Sequence, residues 1–133
     1  MVWGPGIYEN GVAKKYVEEL KDGLDYRPPL DATPEETFLQ ESALLGVIYA
    51  AYYGMDSKEF APYESDPSFI DMTHEMRKIM DDPRNKWFVE NIRDTVDELK
   101  DFDDEGNFEP SFAAQKKEIT GRLLEKIEEL KLW

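Results

Sequence analysis

The chain has 133 residues, with 30 acidic and 16 basic side chains and a formal net charge of −14. Its 41% hydrophobic and 13% aromatic residues are sufficient for one folded domain, and the lack of cysteine excludes disulfides and thiolate metal sites. A direct nucleic-acid partner and an anionic membrane are excluded because no basic stripe is present to bind phosphates. Residues 1–6 lack the features of a signal peptide, and the longest apolar run, residues 43–53, is too short to span a bilayer, so a cytoplasmic protein is expected.

The acidity is concentrated in two segments. Residues 31–66 contain eight carboxylates and one lysine, a net charge of −7, and residues 101–109 contain five carboxylates and no base, a net charge of −5. Together these segments carry −12 of the total of −14. This segregation favours a surface that attracts a basic partner, and acidity that only keeps the protein soluble is the alternative interpretation.

The first predicted helix covers about residues 11–22. Asn10 suits its N-cap, and Gly23 suits the position just after its last turn. Apolar residues recur at three- and four-residue spacing and are expected to form one buried stripe: Val12, Ala13, Tyr16, Val17 and Leu20. The consecutive prolines Pro28 and Pro29 predict a loop after this helix.

The second predicted helix, over about residues 34–53, begins with the clearest start signal in the chain. Thr33 can cap it, Pro34 suits its first position, and Glu36 completes a capping box. Its second half is apolar all round, which predicts a central, buried helix. A glycine inside a helix costs about 1 kcal/mol relative to alanine, so a neighbouring backbone is expected to approach closely at Gly46.

Three further helices are predicted towards the C-terminus. Asp66-Pro67 and Asp82-Pro83 repeat the cap-plus-proline signal and open helices over about residues 67–80 and 84–100, and Ser111 is expected to cap the last helix. Their predicted buried faces comprise Phe69, Ile70, Met72, Met76, Ile79 and Met80; Trp87, Phe88, Val89, Ile92, Val96 and Leu99; and Phe112, Ile119, Leu123, Leu124, Ile127 and Leu130. No segment alternates with period two for long enough to predict a strand. The predicted fold class is therefore all-α, a single compact domain over residues 1–133 with about five helices and an ordered N-terminal turn.

No set of residues predicts catalysis, a metal site or a cofactor. Residues 101–112 resemble a calcium loop, but Phe112 stands where a bidentate glutamate is needed, so a solvated turn is the interpretation and weak calcium binding the alternative. His74 is the single histidine, and Asp71 one turn away makes a surface pair the simplest explanation for it. No cysteine is present, and no serine is marked as a nucleophile by its neighbours.

The aromatic residues are the remaining candidates for a binding site. Tyr49, Tyr52 and Tyr53, with Trp87 and Phe88, are interpreted as core residues. Because a buried tyrosine hydroxyl needs a polar partner, the alternative is a tyrosine-lined cleft that binds a small ligand or serves an unrecognised enzyme.

The first ten residues are unusually aromatic and stiff for a chain terminus. Residues 3–10 read Trp-Gly-Pro-Gly-Ile-Tyr-Glu-Asn, and they predict an N-terminus that is pinned against the body of the domain. The residues expected to form this structural turn are Trp3, Gly4, Gly6, Tyr8 and Asn10.

Together with Ala13 and the Tyr-Val-Glu-Glu-Leu stretch at residues 16–20, this opening segment resembles the bacterial family known as domain of unknown function 4259. Residues 41–54 and 79–87 are similar to that family in character. The resemblance implies a small helical cytoplasmic protein, and it implies no activity, substrate or catalytic residue.

The combination of segregated acidity and no catalytic set predicts a non-enzymatic module that binds a basic protein surface, as an immunity protein, antitoxin or anti-defence inhibitor does. The residues expected to contact the partner are Glu35, Glu36, Asp101, Asp103, Asp104, Glu105 and Glu109. One alternative is a nucleic-acid mimic, whose carboxylates replace phosphates against a DNA- or RNA-binding protein. The small-ligand binder or unrecognised enzyme is the other alternative, and the identity of the partner and the oligomeric state stay open.

Overall fold

The structure is a computed structural model that describes residues 6–8, 10–23, 33–54, 60, 67–101 and 110–133, with the backbone alone for residues 110–113. The described residues form five α-helices and no β-strand, which confirms the predicted all-α class. The helices are α1 (Gly11–Asp22), α2 (Pro34–Tyr53), α3 (Pro67–Asp81), α4 (Lys86–Lys100) and α5 (Pro110–Glu129), and a short 3-10 helix (Pro83–Asn85) precedes α4. Among them, no helix combines the length and the apolar character needed to cross a membrane.

Helix α2 is the central element, as its apolar second half predicts. It contacts α1, α3, α4 and α5. Ten of its residues are buried, on more than one face: Phe38, Leu39, Gln40, Ser42, Ala43, Leu45, Gly46, Val47, Ile48 and Ala50. A helix surrounded in this way has no polar face to present to solvent, and this explains why its sequence shows no amphipathic stripe.

Gly46 lies where the structure brings two other parts of the chain against α2. A Cβ atom at this position would lie 2.5 Å from the backbone oxygen of Phe60 and closer still to the hydroxyl of Tyr8. The predicted close approach is therefore confirmed, and the N-terminal turn contributes a side chain to it. The small size of glycine offsets its unfavourable helix propensity at this position.

The predicted N-caps of α1 and α2 are confirmed. Asn10 Oδ1 accepts a 2.7 Å hydrogen bond from the Ala13 amide, and Thr33 and Glu36 form both bonds of the capping box. Asp82 caps the 3-10 helix by accepting from the Arg84 amide at 2.9 Å. These local contacts satisfy amide groups that have no partner within the helix itself.

Two starts differ from their predictions. The chain after Asp82 first makes a 3-10 turn, and α4 begins at Lys86 rather than near residue 84. Helix α5 begins at Pro110, so Ser111 is its second residue and not its cap. Proline is favoured in the first turn of a helix because its missing N–H would have had no partner there, and this preference moves the start upstream of the serine.

The buried faces follow the predicted spacing with a few exceptions. Buried residues on α3 are Phe69, Met72, Thr73, Met76 and Met80, whereas Ile70 is exposed. On α4 the residues Ile92, Val96 and Leu99 are buried, and the prediction that Trp87 belongs to the same face is wrong because its side chain is 52% exposed. Trp87 lies five residues before Ile92, which is not a helical repeat, and shares its face with Glu90 and Asp94 instead.

Candidate interaction surface

The N-terminal turn is pinned to the body as predicted. Tyr8 is buried, and its hydroxyl donates to the backbone oxygen of Phe60 at 2.8 Å, with the backbone oxygen of Ala43 as a second, longer acceptor at 3.2 Å. The buried Lys116 of α5 donates to the backbone oxygen of Gly6 at 3.3 Å. Burial raises the pKa of the Tyr8 phenol well above its ordinary value, so the hydroxyl stays a donor at physiological pH.

Asn10 ties this turn to the first helix. Its side chain is fully buried, and besides capping α1 it donates through Nδ2 to the Ile7 backbone oxygen at 3.2 Å. Gly6, Tyr8 and Asn10 thus all make contacts that hold this turn in place. Trp3 and Gly4 lie outside the described residues.

The predicted contact residues that the structure describes lie at one end of the helical bundle. Glu35 and Glu36 begin α2, and Asp101 follows the last residue of α4. Phe38 and Lys100 line the same groove, so the start of α2 and the end of α4 lie close together. Asp103, Asp104, Glu105 and Glu109 lie outside the described residues, as does most of the segment interpreted as a turn or a calcium loop.

Glu36 has a structural role that its charge alone does not indicate. Its Oε1 accepts a 3.1 Å hydrogen bond from the Thr33 amide as part of the capping box. This hydrogen bond lowers the pKa of the Glu36 carboxyl. The side chain is thus already engaged within its own helix start.

A second group of carboxylates, which the charge count did not reveal, lies along α4. Glu90, Asp94, Asp97 and Asp101 are spaced by four, three and four residues, and all four are exposed. This spacing places them on one side of the helix, opposite the buried residues Ile92, Val96 and Leu99. We call this set of four carboxylates the α4 acidic face.

The other helices neutralise many of their carboxylates with nearby bases. Examples are the ion pairs Glu18–Lys21 at 3.1 Å, Asp81–Arg77 at 2.9 Å and Glu118–Arg122 at 3.0 Å. On the α4 acidic face only Asp94 has such a neighbour, Arg93, at 3.6 Å. Within the described part of the chain, no lysine or arginine forms an ion pair within 4.0 Å with the other three carboxylates. Lys100 is paired with Glu128, and that bond, together with the charges of Asp97 and Asp101, raises the pKa of Lys100. The row stays exposed and predominantly negative.

Trp87 extends this row with an apolar group. It precedes Glu90 by three residues, and its ring makes an edge-to-face contact with Phe88 at a centroid distance of 5.8 Å. The half-exposed indole thus lies at the N-terminal end of the α4 acidic face. Counting three and four residues forward from Trp87 would have placed it there, because Glu90 and Asn91 are both polar.

The three tyrosines of α2 are not uniformly core residues. Tyr53 is 55% exposed and stacks on Tyr49 at 4.7 Å, so its assignment to the core is wrong. Tyr52 donates to Asp81 Oδ1 at 3.3 Å, and the Arg77 guanidinium lies 4.0 Å from its ring centre. Its hydroxyl is thus satisfied by α3 rather than directed at a ligand, and burial together with the Asp81 charge raises the pKa of Tyr52.

A groove of about 330 Å³ separates α2, α4 and α5 at the same end of the bundle. It is lined by Phe38, Leu99, Lys100, Lys117, Thr120, Gly121, Leu124 and Glu125. No tyrosine lines this groove, and Lys100 at its edge is paired with Glu128 of α5. His74 is exposed on α3, and the part of the chain that the structure describes contains no group of three or more carboxylate or histidine side chains placed to hold a metal ion.

Comparison of the chain with protein-family models, with curated proteins and with solved structures gave no match. The resemblance of its first twenty residues to the domain of unknown function 4259 therefore stays a prediction.

Proposed function

We propose that this protein is a small acidic binding module that attaches to a basic protein surface through the α4 acidic face. The proposal is supported by one observation above all. Glu90, Asp97 and Asp101 are exposed on one side of a helix, and none of them forms an ion pair within 4.0 Å with a described base. A row of this kind attracts lysine and arginine side chains and speeds encounter with a partner that carries them.

Trp87 adds an apolar contact to this charged row. Exposed tryptophans are enriched among the residues that dominate binding energy in protein interfaces. With an exposed fraction of 52%, Trp87 contributes little to the domain's own core and has surface available for a partner. Charge would set the rate and orientation of encounter, and the indole would lengthen the life of the complex.

The charge test is recovery of a partner from a native-host extract at low and high salt. Two variants of equal charge are compared with the wild type. One neutralises the α4 acidic face by Glu90→Gln, Asp94→Asn, Asp97→Asn and Asp101→Asn, and the other neutralises paired carboxylates by Glu18→Gln, Glu75→Gln, Glu118→Gln and Glu129→Gln. We expect the wild type and the second variant to recover the same basic protein at low salt, and the first variant to lose it. Equal recovery by both variants would remove the proposal.

Trp87→Ala is expected to weaken binding of that partner by about 1–3 kcal/mol, or roughly fivefold to 150-fold in Kd. The free energy of unfolding should change by less than about 1 kcal/mol, because half of the side chain is already in solvent. Titration calorimetry with the purified partner and urea unfolding measure the two quantities. Tyr53→Ala, another half-exposed aromatic on a different helix, is the control and should leave Kd unchanged.

The same row also favours a second candidate function, mimicry of nucleic acid. Along a helix that rises 1.5 Å per residue, Glu90 to Asp101 covers roughly 16 Å, with about 5–6 Å between successive carboxylates. Phosphates of one DNA strand follow each other at about 3.4 Å along the axis, so the row corresponds to roughly five nucleotides. Duplex DNA that competes with this protein for the partner would favour the mimic, and a partner that binds both at once would exclude it.

A further inference from the structure

Helix α2 carries an acidic side chain in an unfavourable setting on a part of the helix that feels the charge of α4. Glu41 of α2 is half-buried, and its Oε2 atom is shielded from solvent without a hydrogen-bond partner among the described residues. A carboxylate that loses its hydration without gaining a donor is costly in its ionised form. The neutral acid tolerates the same position far better.

The charges around Glu41 increase this cost. Among the described residues, Glu98 of α4 is the charged group that acts on Glu41, and its charge has the same sign. On α2 itself, the positions three and four residues away are Thr37, Phe38, Leu44 and Leu45, none of which is charged. No charged side chain described on α1, α3 or α5 adds a compensating effect.

Helix α4 is the element that this repulsion can displace most easily. Its buried residues are Ile92, Val96 and Leu99, whereas α2 has ten. A helix held by few apolar contacts is released at a lower free energy than the core of its domain. Ionisation of Glu41 therefore acts on the least firmly held side of the α2–α4 contact.

We propose that the α2–α4 contact is a proton-sensitive clamp, in which α4 packs firmly while Glu41 is neutral and loosens when Glu41 ionises beside Glu98. Desolvation, and secondarily the Glu98 charge, raise the pKa of Glu41 from 4.5 to about 7. The folded protein therefore holds this proton more tightly than the unfolded chain does. Stability is highest below the unfolded-chain value and falls as the pH rises through about 7.

The first test is urea unfolding of the full chain between about pH 5 and pH 8, a range above the ordinary pKa of exposed carboxylates. For the wild type we expect the unfolding equilibrium constant to rise about tenfold across this range. This is less than the full shift of the Glu41 pKa would give, because the side chain is partly solvated. Glu41→Gln, a neutral side chain of the same shape, should remove most of the rise. Glu90→Gln removes an exposed carboxylate from α4 and should retain it.

The second test locates the change. Amide hydrogen exchange, corrected for intrinsic rates, gives a protection factor for each helix. Between pH 6 and pH 8, we expect the protection factors in α4 to fall several-fold more than those in α1. Glu41→Gln should abolish this difference, and Glu98→Gln should reduce it while the Glu41 carboxyl, followed by NMR, still titrates above its usual range. A Glu41 carboxyl that titrates near 4.5, or an unchanged pH dependence in Glu41→Gln, would overturn the proposal.

Discussion

Gly46→Ala is expected to lower the free energy of unfolding by about 3 kcal/mol or more. The added carbon would lie 2.5 Å from the Phe60 backbone oxygen and closer still to the Tyr8 hydroxyl. Relief requires α2 and the Phe60 backbone to separate, which strains the 2.8 Å hydrogen bond between Tyr8 and Phe60. Overpacking costs about 1–3 kcal/mol, and leaving a buried carbonyl unsatisfied adds a similar amount.

The chain provides a matched control for this substitution. Gly121 is also inside a helix, but a Cβ atom there would meet no atom within 4 Å. Gly121→Ala should therefore raise the free energy of unfolding by about 1 kcal/mol, which is the difference in helix propensity between the two residues. Urea unfolding of both variants measures the two changes. A stabilising effect of Gly46→Ala as well would contradict the position of Tyr8 and Phe60 beside Gly46.

Asn10→Ala is expected to cost about 2–3 kcal/mol, more than an ordinary helix cap. Its Oδ1 accepts from the Ala13 amide at 2.7 Å and its Nδ2 donates to the Ile7 backbone oxygen at 3.2 Å, and the side chain is fully buried. Removing an N-cap costs about 1 kcal/mol, and here the substitution also leaves a buried carbonyl without its donor.

Two further variants separate the cap from the tie to the N-terminal turn. Thr33→Ala removes the exposed cap of α2 and should cost only about 1 kcal/mol. Asn10→Asp keeps the acceptor for the Ala13 amide but replaces the donor to Ile7 with a buried negative charge, so it should be at least as destabilising as alanine. Thermal unfolding at neutral pH ranks the three variants. A smaller loss for Asn10→Ala than for Thr33→Ala would show that the bond to Ile7 contributes nothing.

The elements of the fold could be predicted because their signals are local. Each helix-start signal acts on amide groups only a few residues away, so its effect does not depend on how the helices pack. The signals are Asn10, Thr33-Pro34 and Asp82-Pro83. The apolar second half of α2 predicted its central position for a similar reason, since a helix with no polar side can only be buried. The prediction that Ser111 caps α5 is wrong because Pro110, one residue earlier, starts the helix instead.

The candidate surface was harder to find because net charge per segment hides side-chain direction. Residues 67–100 contain eight carboxylates and six bases, a net charge of only −2. On the folded helix, however, Glu90, Asp94, Asp97 and Asp101 share one side. Helical spacing applied to the polar residues, and not only to the apolar ones, would have revealed this row and Trp87 with it.

By itself the sequence determined the helical class, the boundaries of most helices and the requirement for a glycine at residue 46, because backbone capping and 3.6-residue periodicity act within one or two turns. Only the tertiary structure decided what fills the space beside Gly46, and which of the described carboxylates form no ion pair with a described base. It also brought Glu41 of α2 within electrostatic reach of Glu98 of α4, with the whole of α3 between them in the chain. These outcomes depend on distances between residues far apart in sequence, and those distances are fixed by how the helices pack rather than by any local pattern.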